Sequence, residues 1–393
     1  MRSPTSEDKS AQSNNSLVAM NLDRNLPSFQ QRLYTLFSNY KNYTTFSNEG
    51  WIPDRTNSSY DSLESLHDAI HALTGGRKGH MSIIPFSAFD PLFFLHHAMV
   101  DRLFAMWQAL YPEAWIKPEP TSWGTFTMPS GQIVNSTTGL TPFFANSDGV
   151  FWTSDTARDP RTFGYTYAEV AGLDLDGRKI DSRAQASIKL IINRLYGGSS
   201  PPSLVGIGKS NSAEVVPTLD EGGVGRVGTT STVEPGRSVI VHNQYREWVA
   251  NIRVEKKAPG GTFYIHFFLG DIPKDTQTWA HAPNLVGTMC VFAAPGRRGT
   301  GHQGPDTRGT VPLTAALVKE ALAGVLPGLE TDIVEPYLKE KLRFGVIGVD
   351  GTVFDAATVA GLDIQITSSS VQVPTSDNEL PAWGTTVSHF KMA

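Results

Sequence analysis

A single cysteine, Cys290, in 393 residues excludes an internal disulfide framework and any Cys-rich zinc or iron–sulfur site. Charge is scarce too. Asp, Glu, Lys and Arg make up 18% of the chain, and the net charge is -5. A typical globular chain carries about 25% charged residues. This balance offers no basic surface for nucleic acid or for an anionic membrane. No run approaches the roughly 18 uninterrupted apolar residues that a spanning helix needs. The opening MRSPTSEDKSAQSNNS has no apolar stretch of the secretory-signal kind, so a cytoplasmic location is expected. The sequon Asn42-Tyr43-Thr44 matters only in a secreted chain. Histidine is missing as well until His67. That absence limits any histidine metal site near the start to about one ion.

What is present is enough apolar material for sizeable cores, 40% of residues, with 36 Gly and 25 Pro to make turns. The length suits about two domains. The expected organisation is α+β: a disordered segment over 1–24, a helical domain over 25–197, a Gly/Ser/Pro-rich linker over 198–232 and a β-rich, sandwich-like domain over 233–393. Apolar spacing predicts a helix over 26–38. Asp61 and Ser62 predict a capped helix over about 62–73, ended by Thr74-Gly75-Gly76. Asp90-Pro91 opens another over roughly 91–110, and one more is expected over 181–196. Residues 111–165 read as long packed loops. Strands are expected at Val239–Val241, Trp248–Glu255, Thr262–Leu269, Leu285–Ala293 and within 361–374. Residues 295–309 read as an exposed loop, followed by helices near 312–323 and 330–341.

His67 and His71, four residues apart, share one face of a helix. His97, within FDPLFFLHHAMVDRLFAMWQ (89–108), can add a third imidazole from a second helix. Three neutral imidazoles suit copper, and suit zinc almost equally well. The plain alternative is a pair of half-exposed surface histidines. His96 and His97 lie among Phe93, Phe94, Leu95, Val100 and Leu103, where an imidazole needs a hydrogen bond or a metal. Adjacent helical residues point about 100° apart, so only one of the two fully faces the HxxxH helix. Asp101 and Arg102 read as an ion pair anchoring the helix. Glu64, one turn before His67, is either a carboxylate that favours the helix dipole or a group that holds a water or orients a ligand. Asp68 could polarise that water.

LESLHDAIH (63–71) and the segment 89–108 strongly resemble the second copper-binding half, CuB, of the tyrosinase, catechol oxidase and haemocyanin superfamily. GHMSIIPFSAFDP (79–91) and FGYTY (163–167) are similar to the fungal branch. WVANIRVE and FYIHFFLGD resemble the C-terminal domain of fungal tyrosinases, which can cover the copper site. The resemblance runs from about residue 25 onward. It implies Cu(2+) held by His67, His71 and His97, with His96 behind the ligands and Asp101 supporting the same helix. It gives Glu64 the place of a water-holding glutamate and Asp68 an activity-tuning position. It implies oxidation of phenols or catechols to o-quinones with O2, on a pair of coppers, and a role in pigment (melanin) formation.

Family enzymes carry a first copper half, CuA, upstream of CuB, and no histidine precedes His67 here. His242, His266, His281, His302 and His389 form no HxxxH pair and read as strand, loop or tail residues. Cys290 reads as a buried strand residue. It can build neither the Cys-x-x-Cys copper-loading motif nor, with the ligands in hand, the Cys–His thioether of fungal relatives. Three readings follow. The chain is part of a longer phenol-oxidising enzyme, active when a second copper site is supplied. Or it is a truncated or diverged one-copper or inactive accessory module, with a copper-supplying or site-completing protein partner. Or it is a mononuclear metal hydrolase with Glu64 as base, against which the aromatic signature argues.

Overall fold

A computed structural model describes residues 1–6, 8–50, 60–121, 124–175, 180–206, 239–294 and 306–393. The helical part contains α1 (Asn15–Asn39), α2 (Tyr43–Ser47), α3 (Leu63–Gly75), α4 (Leu92–Leu110), α5 (Ser182–Tyr196) and the single turn α6 (Pro201–Leu204). Between α4 and α5 lie two small hairpins, β1 (Glu119–Pro120) with β2 (Ile133–Val134), and β3 (Gly139–Phe144) with β4 (Phe151–Thr153). The sheet part follows with β5 (Gln244–Glu255), β6 (Phe263–Leu269), β7 (Leu285–Val291), β8 (Asp306–Pro312), α7 (Thr314–Leu322), α8 (Thr331–Lys341), β9 (Leu342–Gly348), β10 (Val353–Phe354), β11 (Asp363–Gln372) and β12 (Ala382–Lys391).

Two four-stranded sheets, ordered β10-β9-β6-β7 and β12-β11-β5-β8, enclose a core of Trp248, Ile252, Phe263, Ile265, Phe267, Met289 and Ile366. β5 pairs with β11 over ten residues, Asp363 opposite Arg253 through Gln372 opposite Gln244. α1 and α3 pack on each other and on β7 of the first sheet, and α4 packs against α3. Their core of Leu36, Phe37, Phe46, Leu73, Met106 and Trp107 runs on into Tyr264, Phe268 and Cys290 of the sheet. Helical and sheet layers therefore share apolar surface, the main source of cohesion between them. Trp107 is fully buried, stacks on Phe46 at 4.4 Å and donates its indole N–H to the Tyr40 carbonyl at 2.7 Å.

Several expectations need correction. The N-terminal stretch expected to be disordered over 1–24 carries α1 from Asn15, capped by Asn14, whose side chain accepts from the Leu17 amide at 3.0 Å. Its polar residues Asn21 and Asn25 are buried, and Asn25 Nδ2 donates to the Asn21 and Ala280 carbonyls. Residues 111–165 are not packed loops alone: the hairpins expose Ile133, Phe143, Phe144 and Val150. Val239–Val241 is not a strand. Val241 bridges to Gln244 around a tight turn in which His242 and Asn243 have φ of 51° and 59°. β8 occupies the end of the expected 295–309 loop, whose first part lies outside the described residues. β9 and β12 were not anticipated. Of the expected linker, 207–232 lies outside the described residues. Among the described residues no helix is long and apolar enough to cross a membrane.

Candidate metal centre

α3 starts where Ser62 accepts from the Ser65 amide at 3.0 Å, and it ends at Gly76, with φ of 58°. The next turn returns tightly against it. A Cβ on Gly75 would lie 2.1 Å from the Ser82 nitrogen, and one on Gly79 would lie 2.1 Å from the Gly75 oxygen. Only glycine permits that approach. It places the Met81 carbonyl 2.9 Å from His71 Nδ1.

Four imidazoles meet between α3 and α4. The His67 ring lies 4.5 Å from His71, 5.0 Å from His96 and 5.0 Å from His97. The Nδ1 atoms of three of them are anchored: His67 to Asp68 Oδ1 at 3.0 Å, His71 to Met81 and His97 to the Phe93 carbonyl at 2.8 Å. Carbonyl oxygens only accept, so the Nδ1 atoms of His71 and His97 carry the hydrogen and their Nε2 atoms present lone pairs; His67 follows the same pattern opposite an ionised Asp68, the form that the Phe292 amide favours. His67 Nε2 and His97 Nε2 then face each other at 3.1 Å. Two lone pairs so close repel unless a cation lies between them. Metal–nitrogen bonds of about 2.0–2.1 Å at a near-tetrahedral angle set two nitrogens about 3.3 Å apart, so the spacing fits one shared ion.

His96 also contributes. Its Nε2 is buried without a hydrogen-bond partner, and the ligand nitrogens of His67, His71 and His96 lie within 4.8 Å of one another. Sequence reasoning assigned the third position to His97 and set His96 behind it. The structure brings both rings to the HxxxH pair: His97 makes the short approach to His67, and His96 completes the most compact triad. Among the described residues no other group of His, Cys, Asp and Glu is comparably compact. His266 bonds Thr288, His281 bonds Asn21 and His389 bonds Ser368, all away from the cluster, and His302 lies outside the described residues.

Burial lowers the basicity of all four rings, and His71 is pulled down to about 4 by desolvation and by its histidine neighbours. Neutral imidazoles near pH 7 are what a metal ion requires. Asp68 is buried. Its Oδ1 faces His67, and its Oδ2 accepts from the Phe292 amide at 3.1 Å. Burial pushes its carboxyl up to about 7, opposed by the Lys256 charge. With both oxygens engaged, Asp68 orients the His67 ring. Glu64 Oε2 accepts from the Glu49 amide at 3.0 Å.

The Asp101–Arg102 pairing expected on α4 is absent. Asp101 Oδ2 accepts from the hydroxyls of Tyr165 at 2.9 Å and Tyr167 at 2.7 Å, and Arg102 binds Glu169. Side chains four and five residues past His97 thereby fasten the segment after the hairpins onto α4. The apolar run around His96 and His97 is also not all interior. Phe89, Phe94 and Leu95 are 73%, 63% and 69% exposed, forming an open apolar face beside the imidazoles.

Sequence reasoning missed Met81, Glu49, Lys256 and Phe292. Met81 lies in a segment that resembled relatives but suggested no role for its carbonyl. Phe292 follows β7, and its ring stacks on His71 at 4.4 Å and 15°, so the sheet layer covers one side of the cluster.

Comparison with known proteins agrees with this geometry. The profile for the common central domain of tyrosinase matches residues 1–110, and that for the tyrosinase C-terminal domain matches 247–366. Tyrosinase of Neurospora crassa is 28% identical over 429 aligned positions, covering 91% of this chain and 62% of the relative. Tyrosinase of Podospora anserina is 31% identical, covering 79% of this chain and 59% of the relative. The chain thus spans about three fifths of the length of these relatives. The structure of recombinant mushroom tyrosinase superposes with a TM-score of 0.70 at 23% identity, covering 99% of this chain and 64% of the other. Apo-protyrosinase of Aspergillus oryzae gives 0.59 at 20%, covering 96% and 57%. With both of its parts matched and its histidine cluster built on the matched helices, the chain belongs to the tyrosinase superfamily, in its fungal branch.

Proposed function

We propose that the chain provides one copper site, the second of the family's pair, of an oxidoreductase that converts phenols or catechols to o-quinones with O2 when the other copper site is supplied. The observation that carries this reading is the arrangement of His67, His71 and His97, each Nδ1 anchored, with two Nε2 atoms 3.1 Å apart. The donor set is all imidazole, which suits copper. His67, His71 and either His97 or His96 would hold the ion. Bound copper supplies the redox chemistry. The chain's own groups do the rest: Asp68 keeps His67 in the ligating tautomer, Phe292 excludes water over His71, and Glu64, one turn before His67, braces that helix end by accepting from the Glu49 amide.

The test is copper stoichiometry by native mass spectrometry on the loaded chain. About one copper per chain is expected, with binding abolished or weakened at least tenfold in His67→Ala. No copper in the wild type, or equal copper in His67→Ala, would overturn the reading.

A second reading, a one-copper accessory module that docks a site-completing protein, is favoured by one observation. The exposed face of Phe89, Phe94, Leu95 and Met99 adjoins the imidazoles, and open apolar faces of this kind mark contact surfaces. A spectrum of the copper-loaded chain under O2, alone and with candidate partners, separates the two. A coupled-copper absorption band only with a partner supports the second.

A further inference from the structure

Lys256 follows the last residue of β5 and reaches from the sheet layer into the helical layer. Its Nζ lies 2.6 Å from Glu49 Oε1 and 3.9 Å from Asp68 Oδ2. Both carboxylates are buried, with side chains 2% and 3% exposed, whereas Lys256 is 24% exposed. Glu49 also links to Glu64 through its backbone amide, and its own Oε2 has no partner. Two buried carboxylates therefore share one ammonium, directly behind the first histidine of the HxxxH pair, with Glu64 joined to them through the Glu49 amide. The nearby Arg32 makes its ion pair with Asp61 at 2.6 Å and bonds Ser65 at 3.0 Å rather than contacting Asp68.

We infer that Lys256 is a positioning residue of the metal centre: its ammonium fixes the Asp68 carboxylate behind His67 and so sets how tightly the α3 imidazoles hold an ion. The physical reason is charge balance. Buried carboxylates without a cation repel one another and turn away or take up water. Asp68 would then lose the geometry that keeps the Nδ1 hydrogen of His67 in place and its Nε2 free. Groups behind a ligating histidine change metal affinity by about 10–100-fold. The inference rests on the proposed copper site. It adds that a residue of the sheet layer, 189 positions beyond His67 in the chain, tunes that site.

The experiment uses the full chain, stripped of metal and titrated with Cu(II) alone and with Zn(II) alone against a competing chelator. Lys256→Met should weaken both ions about 10–100-fold. Lys256→Arg should restore most of the affinity, and Lys257→Met, at the exposed neighbour, should leave it unchanged. The Cu(II) electron paramagnetic resonance spectrum should change in Lys256→Met and recover in Lys256→Arg. Melting of the metal-free proteins checks folding. If Lys256→Met does not fold, Glu49→Gln combined with Lys256→Met removes the partner charge and should still bind weakly, because Asp68 still lacks its cation. Wild-type affinity in Lys256→Met, or in that double variant, overturns the inference. Failure of the wild type itself to bind metal overturns the copper-site reading instead, so the two failures are told apart.

Discussion

Glu247 shows how much one buried group can demand of its surroundings. It sits on β5 against Gln31 of α1, and burial pushes its carboxyl up to about 8, opposed by hydrogen bonds from Thr314 and Gln31. In the unfolded chain a glutamate titrates near 4.3. Between these values the folded state holds a proton that the unfolded state has lost, so stability falls as pH rises from about 4 to 8. Glu247→Gln removes that dependence. Urea melts should show the variant gaining on the wild type as pH rises through this window, by on the order of 1.4 kcal/mol for each unit. A constant difference across that range would count against a proton held at Glu247. His71 works the other way. Its imidazole is lowered to about 4, so its contribution is lost as pH falls from about 6.5 towards 4. At this scale the HxxxH pair was legible because a helix fixes the i, i+4 relation whatever surrounds it. Glu49, Lys256 and the Met81 carbonyl were not, because their roles arise only when distant segments meet.

Elements carry their own tests. β12 has a bulge where Ile366 pairs with Phe390 but Thr367 pairs with Ser388, leaving His389 as the extra residue. Bulges re-aim side chains. This one brings His389 Nε2 to 2.8 Å from Ser368 Oγ, while its Nδ1 lies 3.2 Å from Glu335 Oε2. The order of groups is that of a hydrolytic triad. Ser368, however, is 1% exposed on a central strand, where no ester can reach it. The arrangement clamps β12 to β11 and α8. A fluorophosphonate probe should therefore leave Ser368 unlabelled. His389→Ala should destabilise the fold by about 1–3 kcal/mol, measured by chemical denaturation, because Ser368 keeps its bond from Arg246 but loses its imidazole partner, and packing on Trp248 is lost. α3, α4, α5, α7 and α8 were readable within a few residues because caps, prolines and apolar spacing agreed. α1 is longer than its apolar spacing implied because Asn21 and Asn25 bury polar groups against Ala280 and His281, which apolar periodicity does not register. β12 escaped because its side chains are largely exposed and show no apolar alternation.

Across the whole molecule, the helical layer and the sheet layer are held by more than apolar contact. The Tyr264 hydroxyl donates to the Ala72 carbonyl at 2.9 Å, the Thr310 hydroxyl to Asp61 at 2.8 Å, and Arg24 to the Leu285 carbonyl at 2.8 Å. These bonds cross a continuous core, so the layers should unfold together. Heating followed by far-ultraviolet circular dichroism and by tryptophan fluorescence should give coincident transitions. Separate midpoints would show that the layers are independent. The mixed α+β class was legible from the change of pattern along the chain. The depth of contact between the layers was not, because it depends on which strand faces which helix.

Phe292 joins the layers twice, giving its amide to Asp68 and its ring to His71. An aromatic ring stacked face to face on an imidazole shields the protons of that imidazole magnetically. The ring protons of His71 should therefore resonate well upfield, and their return towards ordinary shifts would give a nuclear magnetic resonance reading of how far the sheet has lifted from the histidines.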